Sequence, residues 1–68
     1  MQDRIKAFIN GLFLATTEGR EHMTTEEATY NIKQWKVEQW EDIPEGLTAE
    51  TLSKVWNELI EMEGHENV

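Results

Sequence analysis

Residues 48–63 read TAETLSKVWNELIEME, and the apolar positions in this stretch, Leu52, Val55, Trp56, Leu59 and Ile60, recur at spacings of three and four. At about 100° per residue they fall within roughly 140° of a helical wheel, with Lys54, Asn57, Glu58 and Glu61 on the far side. That is an amphipathic helix and not a strand, whose apolar positions would alternate. Thr48 stands where a cap is needed, Leu47 and Leu52 where a hydrophobic staple forms, and Glu50 near the positive end of the helix dipole. The spacing predicts a helix over about 49–63, stopped by Gly64, with a frayed tail over 65–68.

Upstream, Asp42-Ile43-Pro44-Glu45-Gly46 separates this helix from the one before it, because proline lacks a backbone donor and disfavours helix in the residue it follows. A second helix is expected over about 25–40, opening on a capping box of Thr24 with Glu27 and a staple of Met23 with Ala28. Its inward stripe is Ala28, Ile32 and Trp35. Trp35 to Glu38 also alternate apolar and charged, so a short extended stretch competes there, although no second alternating run exists to pair with it.

A first helix is expected over about 2–17 from the spacing of Ile5, Phe8, Ile9, Leu12 and Phe13, with Gly19 as its stop. Ala7, Gly11 and Ala15 form a row of small side chains four apart, which lets another helix approach closely, either inside the fold or at a self-association seam. Three such helices joined by loops of about seven residues imply an all-α, up-down-up three-helix bundle, a single domain over 1–68. Its expected core is Ile5, Phe8, Ile9, Leu12, Phe13, Ala28, Ile32, Trp35, Leu52, Val55, Trp56, Leu59 and Ile60, with the second helix in the middle between two neighbours.

Fourteen Asp and Glu against six Lys and Arg give a net charge of −8, which repels nucleic-acid phosphates. A DNA-binding helical module is disfavoured further, since the last helix carries Lys54 against Glu50, Glu58, Glu61 and Glu63. The charge is uneven: residues 1–36 are balanced, and residues 37–68 hold nine acids against Lys54 alone. With no cysteine, disulfide bracing and thiolate metal sites are impossible, which fits a reducing, cytoplasmic compartment. The start Met1-Gln2-Asp3-Arg4 and a longest apolar run of four residues, Leu12 to Ala15, predict neither a signal peptide nor a membrane span.

Catalytic equipment is scarce. Ser53 is the one serine, has no histidine near it in sequence, and reads as a surface residue. A metal site would need His22, in the first loop, and His65, in the tail, to converge on a carboxylate such as Glu61, with Gly64 ending the helix between Glu61 and His65. Both histidines therefore read as solvated, and no cofactor or metal is expected. No Gly-rich phosphate loop, phosphate-binding lysine motif or basic patch with aromatics occurs, so the chain reads as a non-enzyme.

Two features exceed what a bare bundle needs. Leu14, Tyr30 and Val37 fall opposite the core stripes, with Trp40 about a third of a turn away, and tryptophan and tyrosine anchor binding surfaces disproportionately. Around Trp40 and Ile43 lies an acidic run, Glu38, Glu41, Asp42 and Glu45, suited to steer the chain toward a basic protein surface. Partner-binding candidates are thus Tyr30, Trp40, Ile43, Glu38, Glu41, Asp42 and Glu45, and oligomer-seam candidates are Ala7, Gly11, Leu14 and Ala15. The expected function is a small acidic protein that binds another protein, as inhibitor, adaptor or assembly subunit. The alternatives are a nucleic-acid mimic that inhibits a DNA-binding protein, and a self-assembling homo-oligomer. In size, acidity and lack of catalytic residues the chain resembles accessory proteins of bacteriophages and other mobile elements, a likeness of style that no motif carries.

Overall fold

The computed structural model describes residues 3–66, with side chains through residue 63. Three helices, α1 (Asp3–Ala15), α2 (Thr25–Val37) and α3 (Ala49–Glu66), pack together, and no strand occurs among the described residues. Gly46 lies by Ile5, Trp56 by Phe13 and Glu63 by Arg20, so α1 and α3 run the same way. Met23, just before α2, pairs with Asn57 midway along α3, while Trp40 shares a hollow with Leu47 just before α3. Helix α2 therefore runs oppositely, and the order is up-down-up.

Helices α2 and α3 start as their local sequence dictates. Thr24 Oγ1 accepts from the Glu27 N–H at 3.1 Å and Glu27 Oε1 accepts from the Thr24 N–H at 3.1 Å, a complete capping box. Thr48 Oγ1 accepts from the Thr51 N–H at 3.2 Å and so caps α3.

The helix ends depart from expectation. Helix α1 stops at Ala15, where the Thr16 hydroxyl turns back to the Leu12 carbonyl at 3.0 Å, and Gly19, left-handed at φ 71°, turns the following loop instead of capping the helix. Helix α2 stops at Val37, short of the expected residue 40, because Gln39 takes a left-handed φ of 59°. The Gln39 N–H then donates to the Lys36 carbonyl and the Trp40 N–H to the Trp35 carbonyl, both at 3.1 Å, which is the Schellman ending. The competing extended stretch is absent, as Trp35 to Val37 are helical. Helix α3 continues through Gly64 to Glu66, since a helical glycine costs only about 1 kcal/mol unless it turns left-handed. The expected frayed tail is thus helical at His65 and Glu66, and Asn67 and Val68 lie outside the described residues.

A larger correction concerns which helix sits in the middle. Helix α3 packs on both others, whereas no Cα of α1 comes within 8 Å of one in α2. The buried core is Ile5, Ile9, Phe13, Ala28, Ile32, Leu52, Val55 and Trp56. Phe8, Leu12, Trp35, Leu59 and Ile60, expected inside, are half-buried against it, joined by Met23, Leu47 and Ala49. With two neighbours, α3 buries a wider arc than its apolar stripe. Ser53, expected on the surface, is therefore only 7% exposed and donates to the Glu50 carbonyl at 3.1 Å. Asn57, assigned to the solvent side, is half-buried and pairs through both amide atoms with Met23, accepting from its N–H at 2.7 Å and donating to its carbonyl at 3.0 Å.

The loops, 16–24 and 38–48, are longer than about seven residues, and the first is tied down along α3. The buried Trp56 indole N–H donates to the Glu21 carbonyl at 2.8 Å. Arg20 lies 4.2 Å from the centre of the Phe13 ring, donates to the Thr16 carbonyl and pairs with Glu63 at 2.6 Å. His22, expected to be solvated, is exposed and meets Glu61 at 2.9 Å.

Candidate interaction groove

Positions 7, 11 and 15 are successive helical turns of α1, so Ala7, Gly11 and Ala15 form one row along it, and all three are exposed. The row is not used to bring α1 close to another helix of the fold. It instead floors an open hollow of about 430 Å³, with Phe8 and Leu12 on its core side and Trp40, Glu41 and Asp42 of the second loop opposite. A Cβ added at Gly11 meets no atom within 4 Å, so the trough is open along its middle.

Trp40 is held in this wall by the ending of α2. The left-handed Gln39 reverses the chain, and the Trp40 indole returns onto Trp35 with ring centroids 5.2 Å apart and planes 13° apart. This is the hydrophobic contact that accompanies a Schellman ending. Trp35 in turn meets Phe8 of α1 edge to face at 5.9 Å. The ladder Phe8–Trp35–Trp40 spans the gap between two helices whose backbones stay apart. It leaves Trp40 41% exposed, so one part of the ring is structural and another faces the hollow.

The structure thus brings Ala7, Gly11 and Ala15 together with Trp40, Glu41 and Asp42, two groups that sequence reasoning kept separate. Leu14 is 64% exposed and, two turns on from Ala7, continues the apolar face beside the hollow. The other candidates lie elsewhere. Tyr30 and Val37 are exposed on α2 and do not line the hollow. Ile43, half-buried, and Glu45 line a neighbouring hollow with Arg4, and Glu38 serves as the C-cap of α2. Phe8 and Leu12 were assigned wholly to the core. The available signal was the α1 wheel, on which Phe8 edges the apolar arc about 20° from Ala15 and Leu12 follows one place further in.

Among the described residues, no group of three or more His, Asp or Glu side chains is placed to hold a metal ion, and no helix is long and apolar enough to cross a membrane. Compared with protein-family models, with curated proteins and with solved structures, the chain matches none.

Proposed function

We propose that the protein acts without catalysis, by binding another protein through the groove between α1 and Trp40, as an inhibitor, adaptor or assembly subunit. The observation that carries this reading is the convergence of the small-residue row with the exposed part of Trp40 and two carboxylates at one hollow. A partly exposed tryptophan beside an open apolar trough is the arrangement from which binding hot spots are built. Nucleic-acid mimicry has less support, because Glu61 and Glu63, two carboxylates it would use as phosphate substitutes, are engaged by His22 and Arg20.

Gly11→Leu tests the proposal. A Cβ at Gly11 meets open space and leucine favours helix over glycine by roughly 1 kcal/mol, so the variant is expected to fold with its trough filled. A protein captured from the native host's lysate by the wild type and lost by Gly11→Leu supports the groove. Equal capture by both moves the interface elsewhere, the Tyr30 and Val37 face of α2 being next.

A further inference from the structure

We infer that the occupant of this groove is an amphipathic helix of a partner protein whose apolar ridge is flanked by lysine or arginine. The inference rests on the reading of the groove as a protein-binding site. Shape supplies the first argument. From Ala7 to Ala15 the trough runs about 12 Å at 1.5 Å per residue, and nothing longer than a methyl group rises from its floor. Such a groove suits the ridge of a helix, with axes approaching to about 8 Å.

Charge supplies the second. The charged side chains lining the hollow are Glu41 and Asp42, both exposed, and neither makes an ion pair among the described residues. Arg4 shares the neighbouring hollow with them but forms no such pair. Covering this rim with an acidic or purely apolar surface would desolvate two carboxylates without compensation, whereas a cationic flank supplies their partners. A second copy is disfavoured by the same reasoning, for each chain carries −8 and each groove brings its own two carboxylates.

The probe is a fluorescent, alanine-rich helical peptide of about fifteen residues, long enough to hold some helix, with leucines along one face and lysines along one flank. A control peptide replaces each lysine by glutamate. Anisotropy titrations use the wild type, Gly11→Leu and the double variant Glu41→Gln, Asp42→Asn, each shown to be folded by its melting curve. The lysine peptide is expected to bind the wild type, to lose roughly tenfold or more in affinity on Gly11→Leu, and to lose about fivefold on the double variant, a loss that shrinks as salt rises. The glutamate peptide is expected not to bind. Equal affinity of the lysine peptide for wild type and Gly11→Leu, or no binding to the wild type, overturns the inference. Where the lysate protein is still lost on Gly11→Leu, such a result rejects only the basic helix and leaves the groove standing. Sedimentation showing a wild-type dimer that Gly11→Leu dissociates rejects both.

Discussion

The indole of Trp40 lies parallel to that of Trp35, centroids 5.2 Å apart, while the Trp40 N–H donates to the Trp35 carbonyl at 3.1 Å. One residue thus closes α2 and forms a wall of the groove. Ordinarily the position before it in a Schellman ending is glycine, and here Gln39 occupies it at φ 59°.

Gln39→Gly should therefore stabilise the protein. Left-handed backbone costs a side-chain-bearing residue about 1–2 kcal/mol, and glycine gives back roughly 0.5–1 kcal/mol through its looser unfolded chain, a net gain of about 0.5–1 kcal/mol. In a domain of this size the midpoint of thermal unfolding should rise by several degrees. A midpoint that stays or falls would mean Gln39 is not strained.

Trp40→Ala should cost about 1–2 kcal/mol, since it removes the stacked pair and the apolar cover of the α2 ending. The coupled signal of the two indoles in circular dichroism should disappear with it. Binding data on this variant must be read only at temperatures where it is folded. A partner complex that dissociates no faster with folded Trp40→Ala removes Trp40 from the interface.

Truncation in α3 should follow burial. Leu52 is fully buried, so Leu52→Ala should cost roughly 3–5 kcal/mol and come close to unfolding so small a domain. Leu59 is half-buried on the same helix, and Leu59→Ala should cost visibly less, about 1–2 kcal/mol. Urea titrations of the two variants compare them directly, and the reverse order would contradict the position of α3 between its neighbours.

Asn57→Asp should weaken the first loop more than its small change in shape suggests. The carboxylate still accepts from the Met23 N–H, but it replaces the donor to the Met23 carbonyl with a like-signed oxygen. A loss of about 1–3 kcal/mol is expected, with faster amide exchange over residues 20–24. Unaltered exchange there would show that Asn57 does not hold the loop.

Much of this architecture is local and was legible in the chain. The capping box at Thr24 and Glu27, the cap at Thr48 and the periodicity of Leu52 to Ile60 each depend on residues within a few positions of one another, so composition and spacing suffice to find them. The row Ala7, Gly11 and Ala15 and the acidic surroundings of Trp40 were visible as separate features for the same reason. What spacing could not decide was everything that joins distant segments. Helix α3, not α2, took the central place, which drew Ser53 and Asn57 inward from positions that look solvated on an isolated wheel. A left-handed glutamine, invisible to any glycine rule, folded Trp40 back onto Trp35 and carried the acidic loop across to α1. Helix content follows from side-chain periods along one stretch of backbone. The groove exists only because three helices and two loops compete for the same small core, and that competition is settled in three dimensions.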